Sequence, residues 1–379
     1  MSKIFSLSIV IFVSFFNLQC SFFKLTKVVR YSENDWTMFG GTPSRSNFNP
    51  TSKISTPLQL LWTRDIDAGI SNGSAVISDS VVFIGTLQGE IFAININNGK
   101  IFGSKKISSP ISSTPLVHSN TLYFGTENGK ENFYAYDFSL GGIRWKKDFQ
   151  GVLSSPLLYD NKIYVGGMDG NLYCMNSYNG EILWQYKTQY SIRSSPALQD
   201  SSLICANEKG EVFALHFQTG KLQWKYKIPS SIFSSPIIHN STVFIGARDS
   251  SLYSINKNIG TLQWKKNLGT YIISTSAVKD SLLVISLVNG NLKALSVNDG
   301  KEVWNFYTTA PISSTPHIAN NLIFVTSLDT YIYALSLENG NVVWKYKTEN
   351  KIKNSPIVWN NFLLFANDDQ LLYCFHSSK

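Results

Sequence analysis

The sequence is poor in the residues that usually carry chemistry. Of its 379 residues only 15% are charged, four are cysteine and five are histidine. No two cysteines are adjacent, the histidines do not cluster, and neither a Gly-rich phosphate loop nor a nucleophile motif is present. The spacing that zinc or calcium ligands require is also missing. We therefore predict no catalytic residue, no cofactor-binding residue and no metal ligand.

The cysteines do not suggest a disulfide framework. Cys174 and Cys374 occupy the same small-residue position in two distant repeats, a position that Ala334 fills in another. Cys205 stands where a valine such as Val165 stands elsewhere. We predict that these three thiols are buried and behave as small hydrophobic side chains. Cys20 has a different context, which is described below.

What the sequence does contain is a repeat with a period of forty residues. Its marker is a tryptophan followed by basic residues, then a polar stretch ending in Ser-Ser-Pro, then apolar segments separated by turns. Gly103 occupies one marker position in place of tryptophan. The eight marker positions are 62, 103, 145, 184, 224, 264, 304 and 344. A repeat of this length indicates a radial array of supersecondary units.

Each unit predicts four short antiparallel strands. Apolar residues alternate along the segments, and Asn-Gly or Asp-Gly pairs such as Asp169-Gly170 and Asn179-Gly180 separate them. These pairs accept the positive φ of tight hairpin turns. With no helical periodicity, the sequence predicts an all-β fold, an eight-bladed β-propeller of four-stranded antiparallel blades.

The two ends of the repeat predict how the ring closes. The last unit ends after Leu371–Phe375 without a fourth strand, whereas the segment from Leu58 to Arg64 has no preceding strands of its own. We expect this N-terminal segment to complete the last blade, which removes a free strand edge.

The first twenty residues resemble a bacterial lipoprotein signal. Lys3 precedes an apolar run from Ile4 to Phe16, too short to span a bilayer comfortably, and Cys20 follows at the cleavage position. We predict a signal peptide over 1–19, lipidation at Cys20, a tether over 20–35 and the propeller over 36–379. An ordinary signal peptide and an uncleaved anchor are the alternatives.

The net charge of +8 has two interpretations. Lysines that follow the tryptophans, such as Lys187 and Lys225, recur with the repeat. Such lysines protect outer strands against edge-to-edge pairing. The other interpretation is attraction to anionic lipid or to an acidic partner. Neither predicts nucleic-acid binding.

The units resemble the PQQ-like propeller repeat family. The resemblance is carried by Asp169–Tyr173, by Asn179–Trp184 and by the opening stretch Trp36–Gly41, and it extends over 36–375. Two subfamilies share this repeat: the quinoprotein dehydrogenases and BamB, a lipoprotein of outer-membrane β-barrel assembly. The resemblance therefore implies the fold more strongly than the function.

The resemblance to dehydrogenases would imply adjacent cysteines, a calcium held by Glu and Asn, and a catalytic aspartate. The sequence has no Cys-Cys pair and lacks long insertions between its units. Its aspartates lie mostly in turns, where they bond to their own backbone. A PQQ-dependent dehydrogenase or another ligand-binding enzyme is thus the second hypothesis, and a surface-exposed binding lipoprotein is the third.

The loops that precede the Ser-Ser-Pro stretches carry a ring of aliphatic residues. Either these residues pack between blades or they form a partner-binding ring. The ring comprises Ile70, Ile111, Val152, Ile192, Ile232, Ile273, Ile312 and Ile352.

One loop departs from the repeat in a way that suggests a partner. Tyr190-Ser191-Ile192-Arg193 is similar to the Leu-Ser-Leu-Arg stretch with which BamB contacts a POTRA domain of its barrel-assembly partner. The following loop has Ser230–Phe233 where BamB has two aspartates. An arginine between large apolar side chains suits an interaction hot spot. We predict partner-binding residues Tyr190, Ile192, Arg193, Phe233 and Tyr271.

Taken together, these features predict a non-catalytic scaffold lipoprotein of the bacterial cell envelope. The resemblance implies an outer-membrane location facing the periplasm, a protein partner with POTRA domains and a membrane contact through the N-terminal lipid.

Overall fold

The computed structural model describes residues 24–25, 29–30, 32, 34–70, 73–107 and 109–377. Every regular element within these ranges is a β-strand. The described ranges contain no helix with the length and hydropathy to cross a bilayer. The predicted signal peptide over 1–19 and Cys20 lie outside the described residues, and the domain boundaries stay predictions.

The strands form eight sheets. Two strands precede the regular blades: β1 (Phe48–Asn49) and β2 (Leu58–Asp65). Blade 1 contains β3 (Val76–Ser78), β4 (Val81–Gly85), β5 (Glu90–Asn95) and β6 (Ile101–Lys106). Blade 2 contains β7 (Leu116–His118), β8 (Thr121–Gly125), β9 (Phe133–Asp137) and β10 (Gly142–Lys147). Blade 3 contains β11 (Leu157–Tyr159), β12 (Lys162–Gly166), β13 (Asn171–Asn176) and β14 (Ile182–Lys187). Blade 4 contains β15 (Ala197–Gln199), β16 (Ser202–Ala206), β17 (Glu211–His216) and β18 (Leu222–Lys227).

The second half of the ring repeats this plan. Blade 5 contains β19 (Ile237–His239), β20 (Thr242–Gly246), β21 (Ser251–Asn256) and β22 (Leu262–Asn267). Blade 6 contains β23 (Ala277–Lys279), β24 (Leu282–Ser286), β25 (Asn291–Ser296) and β26 (Glu302–Tyr307). Blade 7 contains β27 (His317–Ala319), β28 (Leu322–Thr326), β29 (Tyr331–Ser336) and β30 (Val342–Lys347). Blade 8 contains β31 (Ile357–Trp359), β32 (Phe362–Ala366) and β33 (Leu371–Ser377).

The predicted eight-bladed propeller and its closure are confirmed. Strands follow one another from the innermost to the outermost position of each blade. In blade 8 the outermost position is taken by β2, which pairs antiparallel with β33 and sets Trp62 opposite Cys374. The first and last described parts of the propeller are therefore joined by a strand ladder.

The blades present two faces. One face, which we call the loop face, is formed by the loops between blades and by the turns between second and third strands. The opposite face, which we call the turn face, is formed by the turns between first and second strands and between third and fourth strands. An outer-strand tryptophan of one blade donates its indole N–H to a turn-face carbonyl of the next, as Trp184 does to Phe217 at 3.1 Å. The same bond is made by Trp62, Trp145, Trp224, Trp264 and Trp304.

The aliphatic ring packs between blades. Ile192 is fully buried. It packs so closely on Gly166 that a Cβ added to this glycine would lie 2.3 Å from Cγ2 of Ile192. In blade 6 the ring position is held by Ile272, which stands against Gly246 in the same way. The prediction of Ile273 at that position is wrong. The loop before blade 6 has Ser276 where most loops have the proline of the Ser-Ser-Pro stretch, so the sequence alignment of the repeat falls one residue too late there.

A non-repeating segment closes the central channel. Residues 36–49, which we call the channel strap, run around the inside of the ring and bond to innermost strands. Trp36 pairs with Ile77 of blade 1, and the N–H of Val117 in blade 2 donates to Thr37. The strap continues past blades 4 to 6, whose N–H groups donate to carbonyls of Pro43, Ser44 and Ser46, and then pairs as β1 with β27. It thereby satisfies strand edges that would otherwise face the channel.

Arg45 fixes the strap at blades 3 and 4. Its guanidinium is fully buried and donates to the carbonyl oxygens of Pro196 at 2.9 Å, Pro156 at 3.0 Å and Ser155 at 3.2 Å, and also to Phe39. Burial lowers the pKa of Arg45 to about 9. The charge is thus solvated by backbone carbonyl oxygens, and the side chain is fully buried inside the ring.

The one marker position without tryptophan is filled by the N-terminal segment. Gly103 lies opposite Ala93 in blade 1, where other blades place tryptophan opposite a small residue. Leu25 and Val29 are buried there against Phe138 of blade 2. The N–H of Leu25 donates to the carbonyl oxygen of Phe138 at 2.8 Å, the acceptor position that an indole N–H uses elsewhere. The segment before the strap is therefore held against the turn face of blades 1 and 2.

Candidate functional site

The predicted partner-binding residues lie on the loop face of blades 4 to 6. Tyr190 is 37% exposed and Tyr271 is 44% exposed. Arg193 lies in the same loop as Tyr190 and is exposed. Phe233 lies in the next loop along the chain and is half-buried. Ile192 differs, because its side chain is fully buried in the packing ring. It supports the loop from below but is not accessible to a partner in this structure.

Arginine and aromatic side chains alternate across this surface. The guanidinium of Arg193 lies 5.8 Å from the ring centre of Phe233. The guanidinium of Arg248 lies 5.4 Å from the ring centre of Phe233 and 5.4 Å from that of Tyr271. Each such contact attracts the cation to the ring quadrupole. Three loops from neighbouring blades are therefore joined into one continuous surface.

The turn between the second and third strands of blade 4 completes this surface. Glu208 accepts a hydrogen bond from Nε of Arg193 and forms an ion pair with it. The ammonium of Lys209 lies 5.7 Å from the ring centre of Tyr190. We call the set of Tyr190, Arg193, Glu208, Lys209, Phe233, Arg248 and Tyr271 the arginine–aromatic surface.

Sequence reasoning missed Glu208, Lys209 and Arg248. The available signal was a turn position that changes from blade to blade and holds Met168, Glu208, Arg248, Val288, Leu328 and Asp368. A variable turn residue only becomes informative once the fold sets it beside the loop of the preceding blade. This surface offers flat rings and two planar guanidinium groups, which belong to residue types enriched at the centres of protein–protein interfaces, together with one carboxylate.

A depression of about 610 Å³ lies at the centre of the loop face. Arg193, Leu153, Ser112 and Lys353 contribute to its wall. Its carboxylates are already engaged, since Asp368 lies 2.8 Å from Nζ of Lys353 and Glu127 accepts a hydrogen bond from Ser112. The depression is thus lined by both polar and apolar side chains, and its carboxylates are paired with neighbouring groups.

The fold family includes proteins that hold a quinone and calcium, a cation that takes carboxylate and carbonyl oxygens as ligands. Glu127 and Asp368 project from blades 2 and 8 and are engaged with other side chains. In the described ranges no group of three or more His, Cys, Asp or Glu side chains is arranged to hold a metal ion. The donor set of the depression does not fit a calcium-bound quinone.

Among the described residues, burial shifts the pKa of His317, Cys205 and Cys174 in the direction that favours their neutral forms. Burial lowers the pKa of His317 to about 3, and its ring lies 4.5 Å from that of Trp36 within the closed channel. Burial raises the pKa of Cys205 to about 11 and that of Cys174 to about 12. Cys174, Cys205 and Cys374 are free and buried, as predicted.

The chain matches a family model over most of its length. The model is described as outer membrane protein assembly factor BamB, and it matches residues 58–139, 118–248, 169–277 and 248–377. The resemblance to PQQ-like propellers is confirmed by this match.

Curated relatives match over shorter stretches. The outer membrane protein assembly factor BamB of Legionella pneumophila is 26% identical over 137 residues, which cover 33% of this chain and 35% of that relative. The tetrathionate hydrolase of Acidithiobacillus ferrooxidans is 31% identical over 98 residues, covering 25% of this chain and 19% of that enzyme. The chain thus spans about a third, or less, of the length of these relatives.

Solved structures share the fold. BamB from Moraxella catarrhalis is 17% identical with a TM-score of 0.72, covering 85% of this chain and 100% of that one. A europium-containing methanol dehydrogenase is 12% identical with a TM-score of 0.78, covering 91% and 98%. At these identities the likeness concerns the propeller architecture alone.

Proposed function

Because the chain belongs to the family described as outer membrane protein assembly factor BamB, we propose that it is a non-catalytic scaffold of the bacterial cell envelope. It is anchored by lipid at Cys20, faces the periplasm from the outer membrane, and docks a β-barrel assembly protein through its loop face. The partner contact is made by a POTRA-type domain, the class that the resemblance of Tyr190–Arg193 to BamB implies.

The observation that carries this proposal is the arginine–aromatic surface. It lies where the sequence departs from its own repeat, which separates it from the features that the blades need for folding. Arg193, Phe233 and Arg248 are in contact across two loops and one turn, so the surface is ordered before a partner arrives. A preordered surface loses less conformational entropy on binding.

The chemistry of this surface favours a partner with carboxylates beside an apolar pocket. A guanidinium stacked on an aromatic ring keeps its in-plane N–H donors available for bidentate contact with a carboxylate. The surface contains Arg193, Lys209 and Arg248 against a single acid, Glu208. The loop that carries aspartates in BamB carries Ser230 and Ser231 here. The surface of this chain therefore has fewer negative charges at that loop than BamB has.

The closed channel supports the scaffold role over the enzymatic alternative. Arg45 and the channel strap lie inside the ring, where Arg45 is fully buried and bonds to backbone carbonyl oxygens of blades 3 and 4. The loop-face depression has its carboxylates paired with neighbours. Both features suit a rigid body that presents a surface.

Affinity purification from native membranes tests the proposal. The wild-type protein should co-purify with a POTRA-containing barrel-assembly protein identified by mass spectrometry. Arg193→Glu should lose that protein, because the reversed charge repels carboxylates and disrupts the stacking on Phe233. Lys301→Glu is the matched control, since Lys301 lies on the turn face with a side chain that is 82% exposed. Equal recovery of the assembly protein by wild type and Arg193→Glu would contradict the docking site.

A further inference from the structure

The turn face carries two unusually exposed hydrophobic side chains on neighbouring blades. Leu140 is 76% exposed and Tyr178 is 72% exposed, the highest values among the large hydrophobic residues of the described ranges. Both lie in turns between the third and fourth strands, Leu140 in blade 2 and Tyr178 in blade 3. Neither the ring closure nor the arginine–aromatic surface accounts for their exposure.

A basic residue links the two turns that carry these side chains. Arg144 pairs with Asp137, whose other carboxylate oxygen accepts the N–H of Leu140 at 3.1 Å. The guanidinium of Arg144 lies 5.0 Å from the ring centre of Tyr178. We call Leu140, Arg144 and Tyr178 the turn-face rim. The rim combines an aliphatic tip, an amphipathic ring and a cation, the combination that suits the boundary between headgroups and acyl chains.

The N-terminal segment leaves the propeller at this rim. Leu25 donates its N–H to the carbonyl oxygen of Phe138, two residues before Leu140 in the same turn. Cys20 precedes Leu25 by five residues. Since a chain extends by at most about 3.6 Å per residue, that interval reaches at most about 18 Å. A lipid on Cys20 would therefore hold the bilayer close to the rim.

We propose that the turn-face rim contacts the bilayer, with Leu140 and Tyr178 at the level of the headgroups and Arg144 beside lipid phosphates. This inference rests on the proposed acylation of Cys20. The bond between Leu25 and Phe138 fixes the orientation, because the N-terminal segment must then leave the propeller at blades 1 and 2. The arginine–aromatic surface then lies on the face directed away from the lipid, where a periplasmic partner can reach it.

Site-directed fluorescence tests the rim in the full-length protein. Leu140→Cys, Tyr178→Cys and Asn339→Cys are each labelled with an environment-sensitive dye and reconstituted into phosphatidylcholine–phosphatidylglycerol vesicles that carry a doxyl quencher on the lipid. Asn339 is the matched control, because it holds in blade 7 the turn position that Leu140 holds in blade 2. Cys174, Cys205 and Cys374 are buried and should not react.

Lipid quenching should be several-fold stronger at positions 140 and 178 than at position 339. Quenching at 140 and 178 no stronger than at 339, with Cys20 acylated, would overturn the rim proposal. Intact-mass spectrometry of the same samples reports the state of Cys20 separately. An unmodified Cys20 would instead contradict the anchoring on which the proposal rests.

Discussion

Leu25 donates its backbone N–H to the carbonyl oxygen of Phe138 at 2.8 Å, and so replaces a tryptophan that the repeat omits. Six tryptophans make the equivalent bond between other blades. Gly103 holds the marker position of blade 1, and Leu25 and Val29 are buried in the apolar cluster that blades 1 and 2 share. A break in the repeat thereby becomes the attachment site of the N-terminal segment.

Gly103→Trp should displace this segment. The new indole would compete with Leu25 for the carbonyl oxygen of Phe138 and would occupy the space of both apolar side chains. We expect faster tryptic cleavage after Lys24 and Arg30, with a melting temperature close to wild type, because the indole restores the interblade bond. Leu25→Asp should release the segment without refilling the gap, so it should show faster cleavage together with a lower melting temperature. Unchanged cleavage in both variants would show that the segment is held elsewhere.

The tryptophan contacts also explain why glycine recurs in the turn-face turns. Gly220 has φ +68°, and a Cβ added there would lie 2.7 Å from Cδ2 of Trp184. Gly220→Ala should therefore lower the free energy of unfolding by about 1–3 kcal/mol, through both backbone strain and displacement of the indole. Gly142→Ala is the control, since an added Cβ meets no atom within 4 Å. Urea unfolding of both variants measures the difference, and equal stabilities would refute the packing argument.

Much of this architecture is predictable from sequence because it is repetitive. Eight marker positions, the Asn-Gly turns and the incomplete last unit predict the blades and the pairing of β2 with β33. The channel strap and the Gly103 gap are not predictable in this way, since their contacts join a non-repeating segment to residues far along the chain. Arg45, for example, bonds to Pro196 across 151 positions. Its burial has no local signature.

The residues of the candidate site also differ in whether the sequence predicts them. Tyr190, Arg193, Phe233 and Tyr271 stand out because each interrupts the repeat with a large or charged residue in a loop. Arg248 lies in a turn, and its position between two rings depends on how neighbouring blades are set side by side. Whether a loop residue such as Ile192 faces solvent or core is decided by the same blade geometry.

His317 should make stability depend on pH. Burial lowers its pKa from 6.5 to about 3, so the folded protein keeps the ring neutral while the unfolded chain takes up a proton below pH 6.5. The unfolded state then binds more protons, and stability falls as pH decreases. Between pH 6.5 and 5 the loss from this group should be roughly 2 kcal/mol. His317→Phe should remove this part of the dependence in urea unfolding at the two pH values. An identical pH dependence in the variant would contradict the assignment.

Arg45 should be essential for the strap. Arg45→Met keeps much of the side-chain volume but leaves the buried carbonyl oxygens of Ser155, Pro156 and Pro196 without their donor. Each unsatisfied buried acceptor costs about 1–3 kcal/mol, so the free energy of unfolding should fall by at least about 3 kcal/mol. Arg64→Met is a useful comparison, because Arg64 makes one such bond, to the carbonyl oxygen of Gly99, at the partly exposed outer strand. Similar losses in the two variants would show that the channel bonds contribute little.

Two neighbouring residues of the loop face should respond to truncation in opposite ways. Ile232 is buried in the packing ring, whereas Phe233 lies between the guanidinium groups of Arg193 and Arg248 on the surface. Ile232→Ala should therefore cost about 2–5 kcal/mol of stability through the cavity that it creates. Phe233→Ala should leave the melting temperature near wild type and cost about 2 kcal/mol or more of partner binding, since it removes the ring on which both arginines stack. Thermal unfolding and quantitative capture of the barrel-assembly protein separate these effects. If Phe233→Ala captures the partner as well as wild type does, the arginine–aromatic surface is not the docking site. If it also unfolds at a lower temperature than Ile232→Ala, Phe233 belongs to the core.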